Sequence, residues 1–272
     1  MTVDRIIGRF IGLAFLAAVF AFLLIPLAYV AFGSLNETTL AFPPRTLSAR
    51  SYRTIPEAFF RALGVSLIVA ATSTCIAIPL GVGGAFSLVR GRFPGRDLVN
   101  GILLSPLLLP MLVLGVGLYQ FYHGVGQATG IPLTGSLAGL ILGHVSFCVP
   151  YVARAVMPVL ASLPPSLEEA AQDLGAGRWI TFSWVTLPLI RTGLLAGAAF
   201  AFLTSFDNFP MSLFLAEGEN ATLPVVVFHF IEFDLKPTVL AMSTLVILFS
   251  LVAMVIVERT IGLATFVGLR ER

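Results

Sequence analysis

The sequence predicts an all-α polytopic membrane protein with six transmembrane helices. Three observations carry that reading. The 272 residues are 57% hydrophobic, with a mean hydropathy of +0.97. Only 11% are charged, where soluble domains carry about 25%. The apolar residues gather into long runs, each near the ~20 residues needed to cross a hydrocarbon core, and every arginine except Arg154 lies in the polar stretches between and beyond the runs. The net charge of +2 is too small to suggest a nucleic-acid partner.

The first run, Phe10–Phe32, carries no charge. It reads as an uncleaved first helix. A secretory signal has an apolar core of about 7–15 residues and a small-residue cleavage site; this run is longer and no A-x-A site follows it. Ser34–Arg61 is a polar loop broken at Pro43-Pro44, with Tyr52–Phe60 expected as an interfacial turn. Ala62–Val89 is a second uncharged run, rich in the small residues that let membrane helices approach closely. Arg90, Arg92 and Arg96 then form a basic loop around Phe93-Pro94-Gly95.

Leu98–Tyr122 is the third run, in which Pro106 and Pro110 are expected to kink the helix. His123–Gly135 reads as a short Gly-rich turn. Ser136–Leu160 is the fourth run. It holds His144, read as a helix–helix contact, and Arg154, whose long side chain can snorkel to the inner interface. A polar interruption, Ser162–Arg191, follows. Thr192–Leu215 is the fifth run, Ala216–Pro237 a mixed segment, and Thr238–Val257 the sixth run. Cys75 and Cys148 lie inside apolar runs and read as buried small hydrophobes.

Arginine placement orients the chain. With the N-terminus in the cytoplasm, Arg5, Arg9, Arg90, Arg92, Arg96, Arg178, Arg191, Arg259, Arg270 and Arg272 lie inside. Arg45, Arg50, Arg53, Arg61 and Lys236 lie outside. The bias favours both termini in the cytoplasm, and it puts Ser162–Arg191 there too.

That interruption has its own local chemistry. Pro164 and Pro165 suit a chain entering a helix. Ser166 and Glu169 stand in the S-x-x-E spacing of a capping box. Leu167, Ala170, Ala171 and Leu174 then fall on one helical stripe, and Gly175 suits a left-handed stop. A helix of about nine residues is marginal alone in water, so its stripe requires a partner surface. Trp179, Phe182 and Val185 suggest a second turn that covers it, and Pro188 a restart.

The stretch resembles the EAA loop of integral-membrane permease subunits of bacterial ABC importers. Glu169-Ala170-Ala171, Gly175 and Leu187-Pro188 match that pattern, and Gly193 matches the glycine that usually follows. The resemblance covers roughly residues 61–258. It implies a type I permease-like core with Phe10–Phe32 as an added first helix: residues 1–60 for that helix and a periplasmic loop, 61–258 for the core with its coupling loop at 162–191, and 259–272 for a cytoplasmic tail. It makes Glu169, Ala170, Ala171, Gly175, Leu174 and Leu167 the residues that couple to an ATPase. It further implies two copies of a cytoplasmic ABC ATPase that bind the ATP and Mg, a periplasmic substrate-binding protein, and a second permease subunit, expected to be a different chain, all at a bacterial inner membrane. Ser205–Leu215 and Thr222–Phe228 are most similar to the spermidine/putrescine branch of that family, which points to a polyamine or related small solute.

The residues exclude other chemistry. A P-loop needs G-x-x-x-x-G-K-[ST], and the single lysine, Lys236, precedes a proline. His123, His144 and His229 lack zinc spacing, and no catalytic constellation is visible, so neither an enzyme nor a metal site is expected. The rival class is a gradient-driven secondary transporter or channel, which often shows internal repeats or several intramembrane charges. Asp207 is the one carboxylate inside a run. A charge there costs about 2.5–3.5 kcal/mol on insertion scales and usually faces a partner or a watery path. It stands with Phe206 and Asn208 either as part of a translocation path or as a polar tie between helices.

Overall fold

A computed structural model describes residues 2–37, 46–233 and 236–261. Pro43-Pro44, Arg45, Arg270, Arg272 and the tail beyond Ile261 lie outside the described residues. Every regular element among those described is helical. In chain order they are α1 (Thr2–Gly33), α2 (Arg50–Arg53), α3 (Glu57–Arg90), α4 (Arg96–Leu104), α5 (Met111–Thr129), α6 (Leu137–Ser162), α7 (Ser166–Asp173), α8 (Arg178–Thr181), α9 (Leu187–Phe206), α10 (Pro210–Leu215), α11 (Leu223–Phe233) and α12 (Pro237–Ile261).

Five described stretches are long and apolar enough to cross a membrane: Gly8–Gly33, Glu57–Arg90, Leu137–Ser162, Arg178–Phe206 and Pro237–Ile256. A sixth crossing is α4 with its short 3-10 extension, followed by α5, if the two are one span. The axis bends by 103° between them, at the break that Pro106 and Pro110 predict.

Three boundaries differ from expectation. Helix α5 runs on to Thr129 and stops at Gly130 (φ +74°), so His123–Gly135 is mostly helix; glycine is tolerated in membrane helices. Helix α3 starts at Glu57, directly after Pro56, which presets a helical φ, so the stretch Tyr52–Phe60 is divided between the one-turn α2 and the start of α3. The mixed segment contains α11, an 11-residue helix, whose valine run at Val225–Val227 disguised it because β-branched residues favour strands. Cys148 is buried, with its Sγ 3.6 Å from the Ala201 carbonyl, but Cys75 is on the exposed side of α3, and both are free thiols.

The chain divides into two compact units. In the unit formed by Met1–Phe59 and Val227–Met254, α1 is exposed along its membrane stretch, as a lipid-facing helix is. Its C-terminal end is tied down by polar contacts. Ser34 Oγ lies 2.7 Å from the Tyr52 hydroxyl, Ser51 Oγ donates to the Asn36 carbonyl at 2.9 Å, and Leu240 presses against Gly33.

In the other unit, formed by Phe60–Val226 and Val255–Arg272, α6 carries the core. Val152 is fully buried between glycines of α3 and α9. A Cβ on Gly81 would come within 2.6 Å of the Val152 Cβ, and one on Gly197 within 2.9 Å of the Val152 Cα. Gly193 lies equally close to α6, at 2.7 Å from the Ala155 carbonyl oxygen by the same measure. This is small-residue packing of the kind that drives helix association in lipid. One end of the unit is closed by Asn220 Nδ2 donating to the Gly135 carbonyl at 2.9 Å and by the Arg61–Glu219 ion pair at 3.3 Å. The end reached by Arg90 carries the α6–α7 turn. The two ends therefore collect the loops that alternate crossings require.

Gly197→Ala should destabilise the detergent-purified chain by about 1–3 kcal/mol, the usual cost of overpacking, because the obstructing atoms are backbone. Gly117→Ala, which has open space around it, should melt like the parent. Equal melting temperatures for the two variants would refute the packing account.

Candidate functional site

The polar interruption begins where α6 ends at Ser162 and Pro164-Pro165 intervene. Helix α7 follows, eight residues long. The predicted capping box is not formed. Pro165 occupies the cap position, Ser166 is already the first helical residue, and no side chain caps the helix start. The proline displaces the serine because it brings its own helical φ and needs no N–H partner.

The C-terminus of α7 matches expectation. Gly175 has φ +90°. The Ala176 N–H bonds the Ala171 carbonyl at 3.0 Å and the Gly175 N–H bonds the Gln172 carbonyl at 2.9 Å. These are the two bonds of a Schellman stop. The reversal points the chain towards α8.

The described chain covers the stripe only at Ala171. Leu167 is 43% exposed and Leu174 91% exposed, and Glu169 and Ala170 are exposed with them, while Ala171 is half-buried. Trp179 and Phe182 do not cover it as predicted. Phe182 packs edge-on against Phe86 of α3, with ring centroids 6.1 Å apart, and Trp179 leans on Phe182 at 5.7 Å. The polar loop also ends sooner than Arg191. Helix α8 passes through a π turn, Phe182–Thr186, straight into α9, and Pro188 sits in the first turn of that longer helix, as expected.

Glu168, a residue the motif does not single out, points inward, with its side chain only 15% exposed. Its Oε2 lies 3.4 Å from Arg90 Nε, and its Oε1 accepts from Thr186 Oγ1 at 3.2 Å. Arg90 Nη2 donates to the Leu163 carbonyl at 2.9 Å. The Nε approach is a charge contact rather than an aligned hydrogen bond. A groove of about 610 Å³ lies beside this bridge, with Val82 and Phe86 of α3 on one wall and Gln172 and Trp179 on the other.

The second candidate region is the break between α9 and α10. Phe206 is buried at the end of α9 and stacks on Phe202. Asn208 is buried, and its Oδ1 accepts from the Met211 N–H at 3.0 Å, which starts α10. Asp207 lies between them, exposed, and its carboxylate has no ion-pair or hydrogen-bond partner among the described residues. His144 holds the break from α6: Nδ1 lies 2.7 Å from Ser205 Oγ, and Nε2 lies 3.1 Å from Ser212 Oγ. It is a fully buried helix contact. Its bracketing of the break was not legible, because Ser205 and Ser212 are distant in sequence. Arg154 lies on the exposed side of α6, about two turns before Ser162.

A short, exposed helix here joins two close-packed helices that are long and apolar enough to cross a membrane. The class is the integral-membrane subunit of an ABC importer. The chain belongs to the family described as "Binding-protein-dependent transport system inner membrane component", whose profile matches residues 77–260. It is therefore a membrane transport subunit rather than an enzyme. It is 32% identical over 231 residues to the putrescine transport system permease protein PotI of Escherichia coli K12, covering 84% of this chain and 82% of that one. It is 28% identical over 258 residues to the spermidine/putrescine transport system permease protein PotC of the same organism, covering 94% and 95%. Among solved structures, it is similar to a chain of a bacterial ABC transporter that imports the acidic polysaccharide alginate. There the TM-score is 0.77 at 16% identity, over 95% of this chain and 98% of the other. A chain of the MetNI methionine ABC transporter aligns with a TM-score of 0.54 at 18% identity, over 82% and 97%.

Asn208→Ala should lower stability by about 1 kcal/mol, as loss of a capping side chain does, and Asn208→Ser should recover most of it. A melting temperature for Asn208→Ala equal to the parent's would show that the hydrogen bond to Met211 contributes nothing.

Proposed function

We propose that this chain forms half of the translocation path for a polyamine or a closely related small cation. The proposed assembly holds a second permease of different sequence, two copies of a cytoplasmic ATPase that bind the ATP and Mg, and a periplasmic protein that delivers the substrate. The observation that carries the coupling part of this reading is the exposure of Leu167, Ala170 and Leu174 on the stripe they form with the half-buried Ala171. A helix of eight residues is too short to persist by itself, so a surface outside the described chain completes it. Glu169 sits beside that stripe, free of any capping duty, and is available to a basic group of the ATPase. Both termini are taken as cytoplasmic, on the arginine bias.

The substrate reading rests on the names of the polyamine permease relatives and on Asp207. An exposed intramembrane carboxylate without a partner among the described residues suits a path for cations. The break beside it supports the same reading, because non-helical backbone at membrane depth is tolerated where it lines a cavity or is buried in protein.

Two outcomes check these readings. In the purified complex, Ala171→Trp and Gly175→Val should leave the chain inserted but weaken ATPase attachment by about tenfold, or ~1.4 kcal/mol. The first clashes with the docking surface; the second puts a β-branched residue at φ +90°, where it is strained. Glu169→Gln should weaken attachment less, through loss of charge alone. Normal attachment and transport in all three would end the coupling reading, and the cytoplasmic placement of the loop with it. Separately, Asp207→Asn should cut polyamine uptake in proteoliposomes while the complex still assembles. Failed assembly would instead make Asp207 a structural tie, and undiminished uptake would remove it from the path.

A further inference from the structure

Glu168 and Ala171, three residues apart on one face of α7, are half-buried while the rest of the helix is exposed; Glu168 is the charged one. Successive residues of a helix are about 100° apart around its axis, so Glu168 and Glu169 address different surroundings. Glu169 is exposed and open to a docking partner. Glu168 is largely covered and both of its oxygens are occupied: Oε2 by the Arg90 guanidinium at the end of α3, and Oε1 by Thr186, the last residue of the π turn that leads into α9. The same guanidinium holds the carbonyl of Leu163, the residue that ends α6. Three membrane helices and the short outer helix thus meet at one carboxylate and one guanidinium. The Arg90 side chain is 16% exposed, so the pair is partly desolvated and screened less than a surface pair. The π turn matters to the geometry. Its wider winding departs from the regular ladder at the stretch that ends in Thr186, and such turns are frequent at functional sites.

We propose that the Arg90–Glu168–Thr186 bridge is the transmission element of this permease. It passes displacement of α7 simultaneously to the ends of α3 and α9, and Arg90, Glu168 and Thr186 are positioning residues that contact neither the ATPase nor the transported solute. The proposal rests on the coupling reading of α7 and adds a division of labour to it. Glu169 and the exposed stripe take hold of the ATPase; Glu168 and Arg90 transmit its movement inward. Loss of the bridge leaves the ATPase bound and turning over while its movement no longer reaches the membrane helices.

The test uses the complete importer in proteoliposomes and measures three quantities in parallel: ATPase retained on the purified complex, ATP hydrolysis stimulated by the loaded binding protein, and solute taken up per ATP. Glu168→Gln keeps an oxygen for Thr186 and loses the charge; Arg90→Gln removes the charge from the other side. Each should retain the ATPase and its hydrolysis while uptake per ATP falls by roughly fivefold, within the coupling range of residues in contact. The exchange Arg90→Glu with Glu168→Arg restores the attraction and should recover at least half of the lost uptake per ATP. Normal uptake per ATP in the single variants would overturn the proposal. So would loss of ATPase attachment, which would make Glu168 a docking contact, or an exchange variant no better than the singles. If a neutral variant fails to assemble, Arg90→Lys decides the matter: it keeps the charge but cannot span both Leu163 and Glu168, so uptake per ATP should fall about threefold, and parent-like coupling would refute the bridge. Ala171→Trp in the same assay reads attachment alone, so failure of the docking account and failure of the bridge give different results.

Discussion

The constraint on which the rest depends is the close approach of α6 to its neighbours at Val152. Lipid tails are as apolar as the helices they surround, so burial in the membrane gives no hydrophobic drive towards association, and van der Waals packing must supply it. Gly81 of α3 and Gly197 of α9 meet Val152 with no room for a Cβ, and Gly193 extends the same seam along Ala155. The EAA turn joins α6 to α9. Because those two helices are pressed together below it, the ends of the turn are held at short and fixed separation. A short helix that could not stand alone in water is thereby suspended between two anchored points, and Arg90 adds a third from α3.

Suspension explains why the stripe on α7 can remain uncovered. Leu167 and Leu174 contribute little to the stability of this chain, being 43% and 91% exposed. Folding of α7 depends instead on its Schellman stop at Gly175, the proline entry and the inward grip of Glu168. The apolar side is left to another surface. On the proposed reading, docking and folding therefore make separate demands on neighbouring residues of one eight-residue helix.

Much of this was legible in the sequence. The six runs, the kink between Pro106 and Pro110, the glycine stop at Gly175 and the interruption at Asp207 all follow from hydropathy and from the backbone preferences of proline and glycine. What failed was local competition and long-range pairing. The S-x-x-E spacing of Ser166 and Glu169 is compatible with a capping box, but Pro165 already holds the cap position. Trp179 and Phe182 have the spacing to cover α7, but Phe182 meets Phe86 on α3 and Trp179 leans on Phe182. Glu168 belongs with the polar residues by composition, and only the placement of Arg90 and Thr186 turns it inward. A basic residue at the end of one run and an acidic one in the next polar loop on the same side is the signal that could have suggested the pair.

The break after Phe206 obeys the same logic as the seam. An interrupted helix within a bilayer leaves backbone groups that lipid cannot satisfy, so the interruption persists only if other groups are supplied. Asn208 accepts from the Met211 N–H at the start of α10, and His144 reaches from α6 to a serine on each side of the gap. The side chains of Asn208, His144, Ser205 and Ser212 are thus engaged in holding it open. Asp207 is the one with nothing to hold among the described residues, and it is also the one that costs most to keep at that depth. On the proposed reading, that charge is left free for a cation moving along the path, at a break that His144 of α6 and Asn208 maintain.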